Sequence, residues 1–322
     1  MGEAAPLFGV AGAEPPPGAR AEWFAGAGGA RLRAALLPAA GPPRGSVVVS
    51  PGRTEPIEKY FEMAARLASR GFVVLIHDWR GQGLSARALA DRSLGHADGY
   101  APFLTDYADL LAAFETRLPR PWLAIGHSMG GCLTLLALAQ GEARFSGALL
   151  SAPMLGLLTG QVPRPVARGL AGMFKALGRG GRAVFGPPAA AAPFEGNILT
   201  HDPVRYARNL ALVEAAPDLA LGLPTWGWLD FAFSATRELQ SGPGVMRVNI
   251  PVTVLAAGED ALVDNAALRH VAARLPHGRF ELVPGARHEL FQETDEIQAQ
   301  VWSAFDELAG ATAGLAPRDA RA

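Results

Sequence analysis

The strongest constraint on this chain is a rhythm of short apolar runs alternating with helical patterns. Ser46-Val47-Val48-Val49-Ser50 is rich in β-branched residues and stops at Pro51-Gly52, the pattern of a buried strand ending in a turn. Pro56 suits the first turn of a helix, and Ile57, Phe61, Ala64 and Ala68 then recur at helical spacing up to Gly71. Residues 72–76 read as a second strand, closed by His77-Asp78, and residues 103–118 as a helix. Trp122-Leu123-Ala124-Ile125 is a third strand, residues 129–140 a helix, and residues 147–150 a fourth strand. The rhythm breaks over about residues 154–250. It resumes with Val252-Thr253-Val254-Leu255, a helix over 266–274, a strand over 279–283 and a last helix near 294–308. Continuously apolar strands joined by helices imply a mostly parallel sheet covered on both faces, the α/β class. The expected core is residues 21–153 and 251–310. Residues 154–250 are expected to be a helical cap or lid, inserted over the C-terminal sheet edge where open α/β sheets bind ligands. Residues 1–20 and 311–322 are expected to be flexible or draped on the surface.

Composition narrows what such a chain does. Apolar residues make up 49% of 322, enough for a large core, and the formal net charge is −1. Neither the balance nor any motif favours nucleic acid. The single cysteine, Cys132, excludes an internal disulfide and sits in an apolar stretch, where it reads as packing. Met1-Gly2-Glu3-Ala4-Ala5-Pro6 lacks a basic segment followed by an apolar run, so no secretory signal is expected. No stretch approaches the roughly 20 apolar residues that span a bilayer. The expected location is cytoplasmic, with peripheral membrane contact left open and oligomeric state unassigned.

Gly126-His127-Ser128-Met129-Gly130 has the form Gly-x-Ser-x-Gly. The string alone is weak in a chain with 38 glycines. Its setting strengthens it: an apolar strand ends before Ser128 and a helix of small residues begins after it. Glycines permit a sharp strand-to-helix turn that lifts the serine Oγ above the sheet. A serine hydroxyl needs an adjacent base. Of seven histidines, His288 follows the last strand in Pro284-Gly285-Ala286-Arg287-His288-Glu289, at the sheet edge that carries Ser128. His77 reads as loop support, and His96 sits in a polar loop from which it could help shape a site. His127 should point away from Ser128. His201, His270 and His277 read as structural or solvated. Asp260, just after the strand ending at Leu255, is the favoured partner to orient His288, and Asp264 is its rival. The oxyanion needs two backbone N–H donors. Met129 and Arg53 are the candidates, with Gly52 letting the backbone approach the substrate.

Gly126-His127-Ser128-Met129-Gly130-Gly131, together with His77-Asp78-Trp79-Arg80-Gly81-Gln82-Gly83-Leu84-Ser85, resembles the monoacylglycerol lipase and lysophospholipase branch of the α/β-hydrolases. Gly258-Glu259-Asp260-Ala261-Leu262-Val263-Asp264 and Gly285-Ala286-Arg287-His288-Glu289 fit that branch's acid and histidine motifs. The resemblance covers about residues 22–308. It implies the α/β-hydrolase fold, Asp260 as triad acid and the chain order Ser128, Asp260, His288. Monoacylglycerol lipases usually carry His-Gly in the oxyanion loop. Pro51-Gly52-Arg53 departs from this toward the bacterial lysophospholipase-like members. The segments Glu195-Gly196-Asn197-Ile198-Leu199-Thr200-His201-Asp202 and Leu223-Pro224-Thr225-Trp226-Gly227-Trp228 look like theirs as well.

Within the insertion, Arg164, Arg168, Lys175, Arg179 and Arg182 alternate with Val166, Leu170, Met173, Phe174, Leu177, Val184 and Phe185. Such a stretch either meets an anionic membrane surface or forms a cap helix with solvated charges. Trp226, Trp228, Phe231 and Phe233 are the densest aromatic cluster, which either lines an acyl pocket, with the first three as candidates, or forms the cap's own core. The leading expectation is a serine carboxylic ester hydrolase. Its substrate would be a small lipid-like ester, a lysophospholipid or monoacylglycerol, and it would need no metal or organic cofactor. The alternatives are a broad esterase, thioesterase or peptidase of the same fold, or a catalytically silent binding protein.

Overall fold

The sheet begins with strands that the periodicity did not disclose. In the computed structural model, which describes residues 2–184 and 193–312, β1 (Ala4–Ala5), β2 (Arg20–Ala25) and β3 (Arg31–Leu37) form an antiparallel ribbon. Arg-Leu-Arg-Ala-Ala-Leu-Leu is composed of good helix formers. It is extended because it pairs on both sides, with β2 and with a strand of the parallel sheet. Residues 2–20 are draped rather than loose: Trp23 N–H donates to the Glu3 carbonyl, and Phe8 N–H to Glu58.

The parallel part follows the sequence rhythm. It contains β4 (Gly45–Ser50), a 3-10 turn over Ile57–Tyr60 with α1 (Phe61–Ser69), β5 (Phe72–His77), α2 (Ala101–Phe114), β6 (Trp122–His127), α3 (Met129–Ala139) and β7 (Gly147–Ser151). Among the described residues, three α-helices then intervene: α4 (Arg164–Ala176), α5 (Pro203–Ala215) and α6 (Trp226–Ser241). β8 (Val252–Ala257), α7 (Asn265–Arg274), β9 (Gly278–Val283) and α8 (Asp295–Thr312) follow. The strand order is β1-β2-β3-β5-β4-β6-β7-β8-β9, parallel from β5 to β9. The tail from 313, and Phe185 of the basic insertion stretch, lie outside the described residues.

Alternation along the strands splits the core in two. Val48, Leu75, Ala124, Leu150 and Val254 face a layer built from α2, α3, α6 and α7. Val47, Val49, Ile76, Ile125 and Leu255 face α1 and α8. Strands buried on both faces must be apolar throughout. Cys132 is buried in the first layer, and burial pushes its thiol up, which suits packing rather than chemistry.

α6 is shared between the sheet and α4. Ala167, Ala171, Trp226 and Phe233 form a separate small core between the two helices. α4 leaves Val166, Leu170 and Met173 exposed, as is Leu177 just after it. Among the described residues, no helix is long and apolar enough to cross a membrane.

Candidate active site

The turn after β6 carries the candidate nucleophile. Ser128 has φ +49° and ψ −116°, a conformation that side chains other than glycine rarely adopt. The glycines around it have a steric cause. A Cβ on Gly126 would lie 2.7 Å from the Gly131 Cα, and one on Gly130 only 2.0 Å from the Ser50 carbonyl oxygen. The turn is pinned by Ser128 N–H to the Ser151 carbonyl at 3.0 Å and by Met154 N–H to the Ser128 carbonyl at 2.9 Å.

Three strand ends bring together Ser128, Asp260 and His288. His288 Nε2 lies 3.0 Å from Ser128 Oγ, and its Nδ1 lies 2.8 Å from Asp260 Oδ2. A carboxylate only accepts, so Nδ1 carries the proton and Nε2 is free to accept from the serine. Asp260 Oδ1 accepts from the N–H groups of Leu262 (2.8 Å) and Val263 (3.0 Å). Burial opposes the charge on this carboxylate. The hydrogen bond and charge of His288, with those two amides, outweigh burial and hold the carboxyl below its usual range. Asp264, the rival, is occupied elsewhere: it caps α7 through Ala266 N–H and pairs with Arg164 of α4 at 2.9 Å. His127 is no competing base. Its Nδ1–H donates to the Ser151 carbonyl at 3.1 Å, and burial lowers its pKa to about 4.

Met129 and Arg53, the candidate oxyanion donors, line the cavity that holds Ser128 and His288. Among the described residues, neither backbone N–H donates to another group. Met129 opens α3, where the first N–H groups have no carbonyl one turn back. Gly52 does not serve as expected. The space a side chain would fill there is taken by the Glu55 carboxylate at 2.6 Å and the His127 ring at 2.9 Å, and Glu55 accepts the Gly52 N–H. The glycine admits these groups rather than a substrate.

The cavity measures about 540 Å³ and is walled mainly by apolar side chains of the segment between β7 and β8, among them Leu158, Val162, Leu170 and Leu229. Trp226 and Trp228 reach it. Phe231 does not, which corrects the expectation for that residue. It is wholly buried, stacked on Phe103 with ring centroids 5.2 Å apart. The remaining histidines, His77, His96, His201, His270 and His277, do not line the cavity. His96 instead binds Thr225 Oγ1 at 2.8 Å.

Residues 41–295 match the family described as serine aminopeptidase, S33. The chain belongs to that family. Lysophospholipase L2 of Escherichia coli K12 is 36% identical over 267 residues, covering 79% of this chain and 76% of that one. The monoacylglycerol lipase of Mycolicibacterium smegmatis is 28% identical over 288 residues, covering 85% and 91%. The solved structure of a soluble variant of monoglyceride lipase from Saccharomyces cerevisiae superposes with a TM-score of 0.71 at 19% identity, covering 91% and 96%, a likeness of fold. The chain is therefore a serine hydrolase of the α/β-hydrolase fold, in the branch that the motifs resemble.

Two groups of supporting residues in this serine hydrolase went unread in the sequence. The first explains His77 to Ser85. Trp79 Nε1 donates to the Pro51 carbonyl (2.9 Å) and Gln82 Nε2 to the Gly52 carbonyl (2.7 Å), while Asp78 accepts from Ile57 N–H and from Arg33. The motif thus holds the loop after β4 in place. The second is a buried charge cluster. Lys59 Nζ lies 2.7 Å from Glu55 and 2.5 Å from Glu289, so it ties that loop to the loop of His288. Burial opposes the Glu55 charge, but Lys59 and His127 outweigh it and hold this carboxyl at about 2. Burial pushes Glu289 up. Lys59→Met would leave two buried carboxylates facing each other with no cation. Removing one partner of a buried pair costs about 3–5 kcal/mol. The denaturation midpoint is expected to fall by that equivalent, with the deficit smaller in acid, where protonated carboxyls need no cation. An unchanged midpoint would refute this.

Proposed function

We propose that this chain is a carboxylic ester hydrolase for small lipid-like monoacyl esters, a lysophospholipid or a monoacylglycerol. The observation that carries the reading is the Ser128–His288–Asp260 hydrogen-bond chain opening into a cavity with mainly apolar walls. Ser128 Oγ attacks the acyl carbonyl while His288 Nε2 takes its proton. The negative charge that develops on the carbonyl oxygen is met by the Met129 and Arg53 amides. His288 returns the proton to the leaving alcohol oxygen as the C–O bond breaks and an acyl-serine forms. Water then attacks the acyl carbon with His288 as base, and the Oγ–C bond breaks as His288 returns the proton to Ser128 Oγ, releasing the fatty acid. Asp260 fixes the His288 tautomer throughout and stabilises the imidazolium.

In this reading residues 154–250 are the cap, and its apolar walls, with Trp226 and Trp228, take the acyl chain. The lysophospholipase and monoacylglycerol lipase relatives support that substrate class. Exposed Val166 and Leu170 on α4, beside Arg164 and Arg168, fit peripheral contact of the cap with an anionic membrane surface.

One experiment tests the reading. Purified protein is given lysophosphatidylcholine, lysophosphatidylethanolamine, monoacylglycerol, and p-nitrophenyl esters of graded chain length, each free and in anionic vesicles. Long acyl chains are expected to be cleaved faster than acetyl, and the protein to sediment with the vesicles. A preference for acetyl would overturn the lipid assignment, and recovery of all protein in the supernatant would overturn the membrane contact.

A further inference from the structure

The Arg53 side chain is the unusual cation of this site. Other buried cations are paired with acids. Arg33 binds Glu58 and Asp78, Lys59 binds Glu55 and Glu289, and Arg205 binds Glu62, Asp202 and Asp295. Arg87, partly buried, is the exception: it has no acid and its Nε too is enclosed without an acceptor, but its two terminal nitrogens donate to four carbonyls, whereas Arg53 has one. Arg53, among the described residues, forms no ion pair. Its Nη2 donates to the Gly222 carbonyl, its Nε is enclosed without an acceptor, and no hydrogen bond engages Nη1. The guanidinium lies 5.2 Å over the Trp228 ring, on the wall of the cavity that holds Ser128. The two glutamates that also line the cavity are engaged elsewhere: Glu55 accepts from Gly52, Tyr60 and Lys59, and Glu289 from Lys59.

Arg53 is partly buried, and a charge on the wall of a mainly apolar cavity with no acid to meet it is costly to keep where water is only partly available. Burial lowers the pKa of this guanidinium only to about 10, so it stays charged at neutral pH. A planar cation with unused donors matches a phosphate group.

We propose that the Arg53 guanidinium, backed by Trp228, is an anion subsite that binds the phosphodiester of the substrate headgroup. This rests on the monoacyl ester reading above and deepens it. The ester carbonyl would sit at Ser128 and the phosphate at Arg53, which line the same cavity. Neutral monoacylglycerol leaves the cation unmet. Arg53 thereby has two separable duties: its backbone amide faces the oxyanion, and its side chain selects the headgroup.

The test compares kcat/KM for lysophosphatidylethanolamine and for a monoacylglycerol of the same acyl chain, in wild type, Arg53→Met and Arg53→Lys. The two substrates share the ester, so the ratio isolates the side chain from the amide. In Arg53→Met the ratio of phosphate-bearing to neutral substrate is expected to fall about 10- to 100-fold, chiefly through KM, as hydrogen bonds to charged groups are lost. In Arg53→Lys it should recover in part. A ratio unmoved by Arg53→Met overturns the proposal. A wild type inactive on both substrates would instead overturn the monoacyl ester reading. Wild type alone gives a second arm should a variant misfold. Glycerophosphoethanolamine is expected to inhibit p-nitrophenyl ester hydrolysis where glycerol does not. Inhibition by inorganic phosphate without inhibition by the glycerophosphodiester would overturn the headgroup assignment.

Discussion

Ser128→Ala is expected to lower kcat on long-acyl esters by about 10,000-fold to a million-fold, to leave KM within a few-fold, and to abolish labelling by a fluorophosphonate probe. Two observations set the size. His288 Nε2 stands 3.0 Å from Oγ with its other nitrogen tied to Asp260, so the hydroxyl has a base oriented to accept its proton. Without Oγ there is no acyl-enzyme, and what remains comes from substrate positioning and the two amides, which alone leave residual catalysis of about 1,000- to 10,000-fold over water. The fold should not suffer. The strained φ of Ser128 is one that alanine must also adopt, so the strain is unchanged, and no hydrogen bond of Oγ other than that to His288 is removed. The thermal midpoint of the variant should stay near that of wild type. Full esterase activity in Ser128→Ala, or labelling that persists, would show that another residue attacks. Folded wild type that takes no label at all would favour a silent binding protein.

Legibility in the sequence followed how far apart the cooperating residues lie. The parallel strands were plain because strands buried on both faces are apolar at every position. Ser128, Asp260 and His288 were legible because each follows such a strand, and ends of parallel strands share one sheet edge. β3 was hidden because Arg31–Leu37 is made of residues that favour helices, and only pairing with β2 and β5 overrides them. Lys59 was half visible. Its pair with Glu55 lies four residues away, but Glu289 is 230 residues distant, and no local pattern announces that contact. The aromatic cluster misled for a geometrical reason. At 100° per residue, Trp226 and Phe233 share the face of α6 toward α4, whereas Trp228 and Phe231 fall on the other side, where Phe231 is wholly buried against Phe103 and only the partly buried Trp228 reaches the cavity. Composition marked the cluster, and only the helix's placement showed which rings meet the cavity. The position of Arg53 in the loop marks its backbone amide, and nothing in Pro51-Gly52-Arg53-Thr54-Glu55 signals that its guanidinium lacks an acid while Glu55 is claimed by Lys59.

Asp260→Asn is expected to lower kcat about 10,000-fold near neutral pH, while Asp264→Asn leaves kcat within a few-fold. The two acids are four residues apart in the chain, and their surroundings separate them. Asp260 accepts the His288 Nδ1 proton through one oxygen and the Leu262 and Val263 amides through the other. An asparagine must keep its carbonyl on those two N–H donors, which turns its NH₂ toward Nδ1. Histidine then has to place its proton on Nε2 so that Nδ1 can accept, and the nitrogen facing Ser128 is no longer a base. The geometry survives and the tautomer is wrong, so the loss appears in kcat rather than in folding. Raising the pH restores activity in part, as hydroxide takes over proton removal from Oγ, and that upward slope would distinguish a tautomer defect from a collapsed site. Asp264, by contrast, caps α7 and holds Arg164 of α4. Asparagine caps about as well as aspartate. The pair with Arg164 is partly exposed and costs about 1 kcal/mol or less to lose. Stability and not turnover should register that change. The reverse pattern, with kcat falling in Asp264→Asn and unmoved in Asp260→Asn, would assign the orienting role to the other acid.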